Sequence, residues 1–208
     1  RTLQEVCEKK AIDRVVLGAE LETVIGSHTE QSIDYKSWPS DLLTDYIEKT
    51  HHRYIEEKTP VLIQFLNKLC KVHGERHPEL FEVNRLFTQS ATDLAAHMKK
   101  EELILFPFIR RMVTAQLQQQ YIDPPHFGTV ENPVAMMKEE HDAEGERFRQ
   151  ISALTDNYSP PADACNTYRV TFAMLQEFES DLHRHIHIEN NILFPKAILL
   201  EEILEQLS

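Results

Sequence analysis

Four histidines mark off near-equal lengths of this chain: His52, His97, His141 and His185 stand 45, 44 and 44 residues apart. In an antiparallel helical bundle, positions at equal depth on successive rods are separated by twice the distance to the intervening turn. The midpoint between His52 and His97 is Gly74, and that between His97 and His141 is Gln119, just ahead of Asp123-Pro124-Pro125. The midpoint between His141 and His185 falls near Pro160-Pro161. Glycine and proline are where helices stop. The spacing therefore predicts an all-α, up-down-up-down four-helix bundle with one imidazole per helix at a common level.

A second regularity lies inside the first. His97-Met98-Lys99-Lys100-Glu101-Glu102-Leu103-Ile104-Leu105-Phe106-Pro107 and His185-Ile186-His187-Ile188-Glu189-Asn190-Asn191-Ile192-Leu193-Phe194-Pro195 both read H-x3-E-x2-I-L-F-P. Asp93 and Asp181 stand four residues before these histidines. Residues four apart share a helix face, so Asp, His and Glu form one polar stripe on the second helix and again on the fourth.

Apolar periodicity and breakers give the boundaries. Cap and first-turn residues at Ser37-Trp38-Pro39-Ser40-Asp41 predict a first helix from there to Gly74. A second is expected from Pro78 to about Leu117, a third from Asn132-Pro133 to about Asn157, and a fourth from about Asp163 to Phe194. Pro195 is expected to kink or end the fourth, with Lys196 to Leu207 as a short tail helix. Residues 1–36 read as a separate small piece plus linker, with short amphipathic helices around Glu5–Lys10 and Glu20–Ile25 stopped by Gly26, and residues 37–208 as the bundle. The chain opens on Arg1 rather than Met, and more chain is expected upstream.

Composition narrows the class of partner. Lys and Arg number 22 against 34 Asp and Glu, a net charge of −12, which disfavours nucleic acid and anionic membrane surfaces. No membrane span and no export signal are legible, and Cys7, Cys70 and Cys165 show neither a disulfide framework nor a zinc-ribbon spacing. The expected setting is the cytoplasm. The oligomeric state, a dimer included, is left open.

Turned inward, His52, His97, His141, His185, Glu101 and Glu189 would be buried, and a buried carboxylate is costly unless paired or metal-bound. Six ligands are too many for one tetrahedral zinc, and the set has no thiolate. Imidazole and carboxylate suit a pair of non-haem iron ions, with manganese next. The simplest arrangement gives each iron two histidines, with Glu101 and Glu189 bridging and positions left for an oxo bridge and a small ligand. Asp93 and Asp181 are then candidates to orient His97 and His185. The Glu-x2-His pattern of ferritin-like bundles is absent from this repeat.

With these residues in view, His-x3-Glu on the second and fourth helices resembles the hemerythrin-like domain. The passages Glu140-His141-Asp142-Ala143-Glu144-Gly145-Glu146 and Glu189-Asn190-Asn191-Ile192-Leu193-Phe194-Pro195 are more specifically similar to the iron–sulfur cluster repair di-iron proteins. The resemblance runs from about Asp41 to Pro195. Arg1-Thr2-Leu3 also resembles the residues just after the Cys-Cys-Gly-Gly element in that family's small N-terminal domain. It implies six ligands on His52, His97, Glu101, His141, His185 and Glu189. It also implies a role in restoring clusters damaged by nitric oxide or oxidants, with damaged or apo iron–sulfur proteins as partners. The alternative is reversible O2 or NO binding or sensing, although the repeat supplies no fifth histidine of the oxygen carriers. Whether such a protein turns over as an enzyme stays open.

The other histidines carry blander readings. His51 lies about 100° around the helix from His52; His183 and His187 point away from His185. His28, His73, His77 and His126 fall in loops or helix ends. Phe106-Pro107 and Phe194-Pro195 read as core plugs and kinks. Glu140 and Glu144 read as solvated, a path for ions being the weaker option.

Overall fold

The computed structural model describes residues 33–206. The expected helices around Glu5–Lys10 and Glu20–Ile25, with Gly26 and Cys7, lie outside the described residues. Contacts divide the chain between Tyr35 and Lys36, and the second unit is the bundle.

The first rod is α1 (Ser40–Tyr46), a π-helical turn π1 (Ile47–His52) and α2 (Arg53–His73). The second is α3 (Glu79–Lys100), π2 (Glu101–Leu105) and α4 (Phe106–Gln118). The third is the unbroken α5 (Glu131–Leu154). The fourth is α6 (Asn166–Ile188), π3 (Glu189–Leu193) and α7 (Phe194–Glu205). α2 packs on α3 and α6, and α5 packs on α3 and α6 as well, while α1 meets α4 and α4 meets α7. This closes the ring of an up-down-up-down four-helix bundle.

Local chemistry explains the ends. Gly74 stops α2 where a Cβ would lie 2.3 Å from the Cys70 carbonyl oxygen and 2.6 Å from the Phe81 ring. Beyond α4 the chain turns through left-handed Gln119 (φ 52°), and beyond α5 through Asp156, Asn157 and Tyr158 (φ 46°, 53° and 60°). α5 starts at Glu131 with Val130 as its N-cap, two residues ahead of the expected cap Asn132, and the Glu201 carboxylate of α7 accepts from Val130 N–H at 2.8 Å.

Pro195 does not end the fourth rod: α7 (Phe194–Glu205) covers most of the stretch expected as a tail helix and follows π3 directly. The reason lies in the turn before it. Phe106 N–H reaches back five residues to Glu101 C=O, and Phe194 N–H does the same to Glu189 C=O. Pro107 and Pro195 come directly after; a proline ring crowds the carbonyl four residues back and offers no N–H. One widened turn ahead of each proline relieves that crowding, and both rods run on.

Apolar side chains fill the bundle on both sides of the histidine level. Leu62, Leu66, Phe87, Phe148, Phe172 and Phe178 belong to a buried cluster on one side. Leu43, Ile47, Leu105, Phe106, Met112 and Phe194 are buried on the other. The polar residues between them sit in a water-poor slab.

Candidate metal centre

Each rod brings one histidine to this slab, and all four are buried, as are Glu101 and Glu189, which have no exposed surface at all. Three of the histidines give Nδ1–H to an acceptor on a neighbouring rod. His52 donates to Glu102 Oε1 at 3.0 Å, His97 to Glu140 Oε2 at 2.8 Å, and His141 to Asn190 Oδ1 at 3.0 Å. With the proton on Nδ1, each Nε2 carries a bare lone pair aimed inward, the tautomer that metal-ligating histidines use.

The inward atoms crowd one another without satisfying one another. His97 Nε2 and His141 Nε2 are 3.1 Å apart, a contact that is favourable only while one of the two carries a proton. Glu101 Oε2 lies 3.2 Å from His52 Nε2 and 3.4 Å from His97 Nε2, and Glu189 Oε2 lies 3.2 Å from His141 Nε2. Yet both Glu101 oxygens, Glu189 Oε2 and His52 Nε2 are buried without an aligned hydrogen bond. Leaving such groups unpaired costs about 1–3 kcal/mol each, more when charged. His185 Nε2, 2.8 Å from Glu189 Oε1, is paired. Two sets have ligand atoms all within 4.8 Å of one another: His52, Glu101, His185 and Glu189, and His97, Glu101, His141 and Glu189. The sets share both carboxylates. Neutral nitrogen and anionic oxygen donors converging on two adjacent points fit two cations bridged by carboxylate.

Charge obeys the same logic. Burial works against a charged His97, but Glu101, Glu189 and Glu140 outweigh it and hold its pKa up at about 9. His52 is raised against the pull of burial by Glu101 and Glu189. His185 goes the other way, lowered chiefly by burial. Burial disfavours the Glu189 carboxylate, yet His185 and His141 hold it well below the usual range. The protein alone supplies a nest of partly protonated imidazoles around two carboxylates, and a cation entering it displaces those protons.

The six residues singled out by spacing are thus brought together, but not every supporting role falls where the stripe suggested. Asp93 does not orient His97; it pairs with Arg147 Nη2 at 2.7 Å. Asp181 does not touch His185 through a hydrogen bond; it holds His51 Nδ1 at 3.0 Å. Side chains tilt toward their own helix N-terminus, so a carboxylate one turn earlier on the same rod leans away from the histidine it was meant to hold. Glu140, which also pairs with Lys100, does that work for His97 from the next rod. The spacing does not single out Glu102 and Asn190, although each directly succeeds a ligand-position glutamate and the two occupy the same place in the repeat. His51 is buried but belongs to neither set. His183 and His187 are exposed. A cavity of about 170 Å³ beside His97 and His141 is lined by Asp93, Lys100, Glu140 and Glu144. Burial pushes the Glu144 carboxyl up, against Ser90 and Arg147.

Residues 44–197 match the hemerythrin HHE cation binding domain. The chain belongs to the hemerythrin family. Over 198 residues it is 34% identical to the iron-sulfur cluster repair protein YtfE of Musicola paradisiaca, covering 95% of this chain and 83% of that one. The YtfE proteins of Yersinia pseudotuberculosis and Yersinia pestis are 33% identical over the same shares. A hemerythrin domain binds metal cations, and the two sets of donors are where this one has the groups to do so. Among the described residues no helix is long and apolar enough to cross a membrane.

Proposed function

We propose that this chain is a non-haem di-iron protein that helps restore iron–sulfur clusters damaged by nitric oxide or oxidants, by giving up iron to them. His52 and His185 would hold one iron and His97 and His141 the other, with Glu101 and Glu189 available to both. The observation that carries this is the pair of buried donor sets sharing both carboxylates. The repair role is supported by relatives named for cluster repair that match 95% of the chain.

Bound iron would supply a redox-active cation able to take O2 or NO at a free position. The residues do the rest. Glu101 and Glu189 each have two oxygens, so either could serve both donor sets or one, and the histidines of each set would hold their own cation independently of the other. Glu102, Glu140 and Asn190 keep the imidazoles aimed. The partners are damaged or apo iron–sulfur proteins. The setting is the cytoplasm, where free thiols such as Cys70 and Cys165 stay reduced.

The test mixes iron-loaded protein with an apo-ferredoxin, sulfide and a thiol reductant, with no free iron, and tracks cluster absorbance. Cluster should form with the loaded protein and not with a Glu189→Leu variant that has lost iron. Equal assembly by metal-free protein would overturn the proposal.

A further inference from the structure

His52 and His141 hold equivalent levels on the first and third rods, and the residues before them, His51 and Glu140, are equivalent too. Glu140 holds His97 by accepting from its Nδ1 at 2.8 Å. His51 stands in the corresponding place beside His185, whose Nδ1 is buried with no partner. The His51 ring lies parallel to the His185 ring instead, with 3° between planes and centroids 5.4 Å apart.

His51 is itself fixed on two sides. Its Nδ1–H faces both oxygens of Asp181, at 3.0 and 3.1 Å, and Tyr46 of α1 meets its ring edge-on at 5.5 Å. Asp181 lies one turn before His185 on α6, with Arg184 at 3.6 Å its nearest cation. His51 Nε2 is buried with no bond in return. A phenylalanine would give the same stack without that loss; what the imidazole adds is the bond to Asp181, which sets the plane of the ring.

We infer that His51, pinned by Asp181, is the positioning residue for His185, and that it makes the His52/His185 half the firmly retained half of the centre. This rests on the two-cation reading of the site. The other half borders the cavity beside His97 and His141, which neither His51, His52 nor His185 lines. All four histidines are buried and His141 also lies parallel to a ring, that of Phe194, so what sets the halves apart is that cavity on one side and the pinned His51 on the other.

The experiment mixes iron-loaded protein with excess ferrous chelator at fixed pH and monitors the coloured chelate. The parent should lose its iron in two equal phases, the slow one at least about tenfold slower. His51→Gln keeps a donor for Asp181 without a flat ring, His51→Phe keeps the ring without the donor, and Asp181→Leu removes the pin. Each should speed the slow phase about tenfold or more and leave the fast phase unchanged. Asp181→Asn, which keeps an oxygen for Nδ1–H, should hold the slow phase within about threefold. Melting of the metal-free variants reports whether each still folds; should the Phe variant not, the Gln and Asn variants carry the test. Iron-free parent protein would sink the two-cation reading itself. Two irons leaving in one phase, a slow phase indifferent to His51→Gln and Asp181→Leu, or both phases quickening together would overturn this inference alone.

Discussion

His97 sits where opposing forces nearly meet. Burial disfavours its charge, and three glutamates restore it, to a pKa of about 9 against an ordinary 6.5. In the metal-free protein this preference for the proton is stabilising in full below the unfolded value and is lost as pH rises through about 9. His52 contributes in the same direction, and His185, lowered by burial, subtracts below its ordinary value. The metal-free protein should therefore lose roughly 2–3 kcal/mol between about pH 7 and pH 10, read from thermal melts across that range. Iron-loaded protein should show little of this decline, because Nε2 is then occupied. Alanine at Glu102 or Asn190 would free the Nδ1 of His52 or His141. Each should weaken iron binding about 10–100-fold in a chelator competition while the fold survives. The same substitution at the exposed neighbour Asn191, whose amide faces His187 at 3.0 Å, should change nothing.

At the scale of the helices, the arithmetic of the four histidines was readable because antiparallel packing turns equal depth into equal spacing. Gly74 and the Pro-containing connections were readable for the same reason, since they break helices whatever surrounds them. The π-turns were not. Those of the second and fourth rods arise where Pro107 or Pro195 meets the preceding carbonyls inside a rod that tertiary packing keeps straight, and periodicity alone cannot show that balance; π1 has no proline directly after it. Nor could the sequence show which neighbour holds which imidazole. That choice depends on side chains crossing between rods, as when Glu140 of α5 displaces Asp93 from His97. The aromatic cluster away from the centre offers a separate handle. Phe178 packs on Phe87 at 5.2 Å and Phe148 at 5.7 Å and is all but fully buried. Phe178→Ala should cost about 3–5 kcal/mol in chemical denaturation, yet the folded variant should keep its iron, because no donor lies in that cluster.

For the molecule as a whole, four rods enclose a polar slab that makes little sense as packing. Two carboxylates without exposed surface, and imidazole nitrogens facing one another across 3.1 Å, are a liability that a plain helical bundle would gain by replacing with leucine. On the two-cation reading, bound ions balance this liability, and the protein exists to hold and surrender them. Elemental analysis of protein purified without added metal tests that most directly. Two irons per chain are predicted for the parent, falling below one in Glu189→Leu and His141→Leu with helical content unchanged. A parent free of iron, or variants that hold as much as the parent, would contradict it.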